Sequence, residues 1–337
     1  MLQRNKELMK ILIIGGNGLL GTHAVREAIR HDHIVTILSR GNNHVPKELE
    51  SSVTNSIGNV YDMHDDAVKE LMIGQDAVVY SLGIDDRELH KRPAYDAFHY
   101  DHVTVCMKIV KIAKECGVKK FVVYGSYFTY FDKEYPELKL AEKNVYIRTR
   151  SEQKEAVLAE STDAFKTYVF ELPYIIGYLP GKVPPWTFIF SLLEKGKKNV
   201  FFFKRGGTAV VTANQVAQAT IGALEQGMGG KSYPIVGSNY AWRDFAKVYF
   251  DASKEQKKVI GIPKFIFTIY GVIDSILLLF RNKERGLSIR NYAALQYKDA
   301  FIDPSISMKA LKYSNDDYEN EMKRLISEWI LIKRNKT

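Results

Sequence analysis

The stretch Ile13-Ile14-Gly15-Gly16-Asn17-Gly18-Leu19-Leu20-Gly21 limits the fold more than any other. It joins a β-rich apolar run, Lys10–Ile14, to a segment of helical spacing, Leu19–Arg30. Gly16 to Gly21 spells G-x-G-x-x-G, and Gly15, Gly18 and Gly21 also read G-x-x-G-x-x-G. A strand that turns at once into a helix needs glycine where the turn is tight, where backbone approaches a ligand, and where helix packs on strand. Backbone N–H groups and the positive helix end then face an anion. The context points to a dinucleotide, with Gly15, Asn17, Gly18, Leu19, Leu20 and Gly21 as its contacts. The competing reading is a glycine-rich turn that binds nothing.

Strand–helix alternation continues through the first half. Apolar runs at Ile34–Leu38, Val53–Ile57, Ala77–Tyr80, Lys120–Tyr124 and Thr167–Leu172 alternate with helical patterns at Asp65–Met72, Tyr95–Cys116 and Tyr146–Ser161. Such alternation makes parallel βαβ units, and near-continuous apolar strands suit a sheet covered on both faces. The expected class is α/β: a Rossmann-type doubly wound parallel sheet with a smaller, mostly helical C-terminal substrate lobe. The expected boundaries are 1–175 for the NAD(P)-binding domain, with about 208–235 returning to it, and 176–207 plus 236–337 for the substrate or lid lobe. With 337 residues, 46% hydrophobic and 26% charged, the chain can bury such a core without disulfide or metal, and collagen, coiled-coil and wholly disordered readings fall away.

The end of the second run bears on the cofactor. A NAD site places Asp or Glu ~20 residues after the glycines. Here Ile37-Leu38-Ser39-Arg40-Gly41 has no acid. Ser39 can hydrogen-bond a 2′-phosphate, and Arg40 can pair with it and stack on adenine. NADP is therefore expected over NAD. The net charge of +9 suits anionic ligands, but the basic residues are scattered. Their densest cluster is Lys195, Lys197, Lys198, Lys204 and Arg205, around Val200–Phe203. Zinc spacing, RNA-binding signatures and helix-turn-helix patterns are lacking, so neither metal nor nucleic acid is expected. Cys106 and Cys116 lie roughly 15 Å apart on a helix and cannot pair there. A reduced, cytoplasmic chain is the expectation, and Ile11–Ile14 is too short for a signal-peptide core. Val259–Phe280 is apolar apart from Lys264, Thr268, Asp274 and Ser275. It reads as a buried or lid helix, with peripheral membrane or dimer contact as alternatives, rather than as a span.

Together these segments resemble the extended short-chain dehydrogenase/reductases, specifically the NAD-dependent epimerase/dehydratase family, over about residues 9–250. Lys10–Gly21 resembles that family's opening strand and loop. Gly58-Asn59-Val60-Tyr61-Asp62 resembles its adenine-contacting segment, with Asn59 where Asp is common. Asp76–Gly83 resembles the fourth strand and the turn along the cofactor, which implicates Ser81, Leu82 and Gly83. Gly117–Val123 resembles the approach to the catalytic serine. Glu171–Gly177 resembles the stretch whose Pro173, Tyr174 and Ile176 would line the nicotinamide.

The resemblance also implies a chemistry. The family uses Ser/Thr with Y-x-x-x-K, a spacing that sets both side chains on one helix face. The cation favours the phenolate, the tyrosine acts as acid or base, and the serine orients the substrate oxygen. Tyr146-Ile147-Arg148-Thr149-Arg150 matches except that Arg150 stands where lysine belongs. The serine would be Ser126, in Tyr124-Gly125-Ser126-Tyr127. A guanidinium is larger and planar and does not release a proton, so the exchange is not conservative. The family's helper asparagine is replaced by Tyr100-Asp101-His102, where His102 is either a relay or a structural histidine. The resemblance thus implies an NAD(P)-dependent oxidoreductase or epimerase/dehydratase-like enzyme, moving a hydride between nicotinamide and a carbonyl or alcohol carbon of a small molecule, as a homodimer. The alternatives are a catalytically reduced NADP(H)-binding sensor or scaffold, and an RNA-binding descendant of the fold. Lys182–Thr187 reads as a candidate substrate wall, in which Trp186 is either a flat apolar contact or a core residue, Asn214 as a helix cap, and Lys204 with Arg205 as a phosphate contact or a solvated loop.

Overall fold

The computed structural model describes residues 7–41, 45–180, 182–194 and 200–335. Seven parallel strands make the central sheet: β1 (Lys10–Ile14), β2 (Ile34–Ser39), β3 (Val53–Ile57), β4 (Ala77–Tyr80), β5 (Lys120–Tyr124), β6 (Lys166–Glu171) and β7 (Lys231–Pro234). Their spatial order is β7-β6-β5-β4-β1-β2-β3. The helices that matter to the sheet are α1 (Leu19–Arg30), α2 (Asp65–Met72), α3 (Cys106–Glu115), α4 (Val145–Ala159) and α5 (Ala213–Gln226).

Successive residues of a strand point to opposite faces, and here both faces are covered. Ile11 and Ile13 of β1 join a core with Ala24, Val25 and Ala28 of α1 and Val216, Ala219 and Ala223 of α5. Leu12 and Ile14 join another with Val68 of α2, Val110 and Ala113 of α3 and Val157 of α4. This is why the strands read as unbroken apolar runs rather than alternating ones. The chain lays β1, β2 and β3 in one direction, then crosses to place β4 on the other side of β1. The switch leaves a crevice beyond the carboxyl ends of β1 and β4, where α/β sheets take ligands.

The second half wraps around this sheet. β7 runs parallel to β6, with Lys231 opposite Tyr168, and α5 packs on α1. Gly207–Thr212 belongs to a separate small sheet, antiparallel to Ser238–Ala241 and parallel to Tyr174–Ile176 and Asp299–Ala300. Trp186, Phe190, Phe201, Phe203, Trp242, Phe245 and Phe250 form the core beside it. A parallel pair, Val200–Lys204 with Lys258–Ile262, and an antiparallel pair, Leu89–Lys91 with Lys283–Arg285, complete the lobe.

Several local expectations are corrected. Val200–Lys204 is a strand whose Phe201 and Phe203 are buried, so Lys204 ends a strand, while Arg205 is exposed just after it, as expected of a solvated loop. Lys195, Lys197 and Lys198 fall outside the described residues. Lys204 is not solvated: its ammonium lies 3.5 Å from the centroid of the Trp242 ring and donates to Gln296 Oε1. Burial pushes it well below the ordinary lysine value. Asn214 does not cap α5. Thr212 does, in a capping box where its Oγ1 accepts from Gln215 N at 3.1 Å, while Asn214 Oδ1 meets His23 Nδ1 at 2.8 Å. Val259–Phe280 is not one buried helix. Lys258–Ile262 is a strand, Pro263 follows, and α6 runs Lys264–Phe280 with only Gly271 and Leu278 buried. Proline suits a helix start because the missing N–H would be unpaired there anyway. Among the described residues, no helix is long and apolar enough to cross a membrane.

Candidate active site

The crevice begins at the glycine turn. Gly15 N donates to Leu38 O at 2.8 Å, and Gly15 adopts φ +85°. A Cβ at Gly21 would stand 2.1 Å from Gly15 O, so α1 can approach the turn only without a side chain there. Gly18 precedes α1 with no side-chain cap, which leaves first-turn amides for an anion. Lys182 Nζ donates to Asn17 O at 2.7 Å and adds a cation beside the loop.

A cavity of about 520 Å³ lies over the strand ends. Ile14, Gly15, Asn17 and Gly18 form its floor, Leu38, Ser39 and Arg40 one end, Gly58 to Tyr61 a wall, and Ser81 to Ile84 with Asp101 the far side. Ser39 is buried, and its hydroxyl has no partner among the described residues. Asp101 braces the two walls: one carboxylate oxygen accepts from Ile84 N at 2.9 Å and the other from the Tyr61 hydroxyl. Burial and the Asp101 contact push the Tyr61 phenol above its ordinary range. Asp101 and His102 are both buried within a π-helical turn, Tyr100–Val105. Such turns often occur at functional sites.

A second cavity, of about 250 Å³, adjoins the first, and Ser81, Leu82 and Gly83 line both. Its other walls are Leu20, Tyr124, Gly125, Tyr146, Arg150, Leu172, Pro173 and Ile175. Here α4 brings Tyr146 and Arg150 together, with the guanidinium carbon 5.3 Å from the Tyr146 ring centroid. Arg150 Nη1 donates to Gln153 Oε1 at 2.8 Å and to Tyr124 O at 3.4 Å. Its Nη2 lies close against Gly83, and its Nε is buried without a partner among the described residues. The nearest lysine on the helix, Lys154, is held by Glu171 at 3.1 Å and does not stand in for the missing one. His102 is fully buried, with Nδ1 2.8 Å from Thr149 Oγ1 and its ring edge-on to Tyr146 at 5.2 Å between centroids. Burial, with the Arg150 charge, depresses it to about 2, so it is a neutral imidazole that packs the tyrosine.

The remaining expected site residues are placed elsewhere. Ser126 is buried beside Gly125, and its Oγ accepts from Phe128 N at 3.4 Å. It lines neither cavity, and neither do Leu19 and Gly21, which start α1. The Tyr174 hydroxyl lies 3.3 Å from that of Tyr292, within an aromatic cluster, and Ile176 is buried in the second lobe. Trp186 is core rather than wall: its indole N–H donates to Ile175 O at 2.6 Å and its ring stacks on Phe245. Sequence reasoning missed Tyr61, Asp101 and Lys182 as parts of the cofactor cleft. Tyr61 lay inside a segment already singled out. The signal for Asp101 was a pair of adjacent polar residues inside an apolar helical pattern.

The orphaned Ser39 hydroxyl, the orphaned Arg150 Nε and the glycine cradle are the features a nicotinamide dinucleotide would satisfy. Residues 15–168 match the model of a family described as NAD(P)H-binding. No curated protein matches the sequence. Among solved structures, gox2253 is 16% identical with a TM-score of 0.74, covering 95% of this chain and 97% of its own. A nucleoside-diphosphate-sugar epimerase from Pseudomonas aeruginosa is 14% identical with a TM-score of 0.69, covering 96% and 98%. A UDP-glucose 4-epimerase from Bifidobacterium longum, solved with NAD+ and UDP, is 14% identical with a TM-score of 0.66, covering 97% and 100%.

Proposed function

We propose that this chain, an NAD(P)-binding Rossmann protein with the fold of the extended short-chain dehydrogenase/reductases, is an NADP(H)-dependent oxidoreductase or epimerase/dehydratase-like enzyme. Its substrate is a small molecule with a carbonyl or alcohol carbon. The observation that carries the reading is that the two cavities adjoin across a shared wall of Ser81, Leu82 and Gly83. One extended ligand can then reach from Ser39 and Arg40 at one end to Tyr146 and Arg150 at the other.

The residues divide the work. The Gly15–Gly21 turn and the start of α1 hold the pyrophosphate, Ser39 and Arg40 the 2′-phosphate, and Asn59 and Val60 the adenine. When bound, the nicotinamide supplies or accepts the hydride. Tyr146 gives or takes a proton at its phenol oxygen. Arg150 supplies the positive charge beside that phenol, and its unused Nε is a donor for a ribose hydroxyl. Ser126, to which the resemblance would give the role of orienting the substrate oxygen, is buried next to Gly125 and lines neither cavity, so no step is assigned to it. Pro173 closes the nicotinamide end, with Tyr174 and Ile176 behind it.

Tyr146→Phe is the direct test, because it keeps the ring packed against His102, Phe98 and Phe128 while removing the hydroxyl. Turnover with carbonyl substrates and sugar nucleotides is expected to fall by about 10²–10⁴, with NADPH affinity retained. Unchanged turnover would remove Tyr146 from the mechanism. The second reading, a cofactor-binding sensor with reduced catalysis, is favoured by arginine at position 150. It predicts NADPH binding without turnover of any such substrate.

A further inference from the structure

Helix α6 is built inside out. Apart from exposed Lys264 and Tyr270, its polar side chains are turned inward or to the helix itself: Asp274 accepts from Arg285 Nη2 at 2.9 Å, and the Ser275 and Thr268 hydroxyls donate to backbone Gly271 O and Lys264 O. Gly271 sits against the backbone of Arg290, where a Cβ would come within 2.5 Å. The opposite face is apolar and exposed from end to end. Phe265 is 64% exposed, Ile269 55%, Ile273 51%, Ile276 48% and Phe280 85%. At 100° per residue these five fall on one stripe. The strand leading into α6 extends the surface, since exposed Ile260 is registered opposite exposed Phe202. A contiguous apolar face of this kind marks an interaction site rather than chance exposure.

The charges around the stripe identify its partner. Lys258 and Lys264 precede it, Arg281 and Lys283 follow it, and Arg290 flanks it, all exposed. No salt bridge among the described residues engages any of the five. A second copy docked antiparallel through α6 would bring the cationic start of one helix, with Lys258 and Lys264, beside the cationic end of the other, with Arg281 and Lys283, which is unfavourable. Anionic headgroups around an apolar layer complement both features. At ~1.5 Å per residue the helix is about 25 Å long, and it is not long and apolar enough to cross a bilayer. We infer that α6 seats the protein on an anionic lipid bilayer, lying in the membrane plane with the Phe265–Phe280 stripe immersed and the flanking lysines and arginines at the headgroups.

Flotation of the full-length protein tests this. Vesicles of phosphatidylcholine alone are compared with vesicles of equal parts phosphatidylcholine and phosphatidylglycerol. The protein should float with the second and far less with the first, and salt should weaken the association. Lys264→Ala should reduce partitioning roughly fivefold. Ile269→Glu with Ile273→Glu should leave the protein unbound while its circular-dichroism melt stays that of the wild type, because both side chains face solvent. Wild-type protein that ignores anionic vesicles overturns the inference, as does vesicle binding that survives the double substitution. A dimer in sedimentation that the double substitution dissociates, without vesicle binding, would assign the stripe to a second copy instead.

Discussion

At the scale of residues, two arginines set the character of the cleft, and they act differently. Arg40 follows the last residue of β2 and is exposed at the cavity rim beside the orphaned hydroxyl of Ser39. A 2′-phosphate there would give the arginine a charge-assisted partner and the serine its missing one. A hydrogen bond to a charged group contributes ~1.5–3 kcal/mol, or roughly tenfold to a hundredfold in affinity. Arg40→Ala is therefore expected to weaken NADPH binding by that factor and NADH binding by less; equal losses in a parallel titration would mean that Arg40 does not read the phosphate. Arg150 is enclosed by contrast. Its fork is divided between Gln153, Tyr124 O and the backbone of Gly83, contacts a lysine's point charge could not make together. The Y-x-x-x-R spacing was visible in sequence, because i and i+4 share a helix face. The closeness of Gly83 to the guanidinium was not, because it depends on how α4 packs against the loop after β4.

At the scale of elements, that loop joins the two halves of the molecule. Ser81 to Gly83 line both cavities, Asp85 pairs with Arg87, Arg87 covers Phe188, and Asp86 O accepts from Leu287 N at 3.0 Å. The Asp86 carboxyl is enclosed near Tyr127, Tyr174, Tyr292 and Lys204. Burial, with the neighbouring Asp85 charge, pushes it up to about 7. Its unfolded value is ~3.9. Between these values the folded chain holds a proton that the unfolded chain has lost. The stability this carboxyl contributes is thus full below about pH 4 and is lost as pH rises through about 7. Asp86→Asn cannot ionise, so its melting temperature should rise relative to wild type across that window and level off above it. A difference between the two proteins that stays constant with pH would contradict the burial assigned to Asp86. No feature of the sequence distinguished Asp86 from its exposed neighbours, since its enclosure comes from side chains as distant as Lys204 and Tyr292. The inverted polarity of α6 was equally hidden. Apolar content alone does not say which side faces out, and burial was the natural expectation for so hydrophobic a segment.

At the scale of the whole molecule, the parallel sheet was readable from sequence because its central strands, β1, β4, β5 and β6, are buried on both faces and each helix follows with its own period. The glycine turn is local, so its place at the head of β1 was readable too. The second lobe was less so. Its small strands, such as Tyr174–Ile176 and Ser238–Ala241, are short and pair with residues far along the chain. What unites the lobes is the crevice between β1 and β4, with Arg40 at one end and Tyr146 at the other. Whether a dinucleotide lies along that crevice is decided by calorimetric titration of the purified protein with NADPH and NADH. Micromolar or tighter NADPH binding, much stronger than NADH, is the expected result. Binding of neither nucleotide would contradict the assignment and make the glycine turn a structural relic.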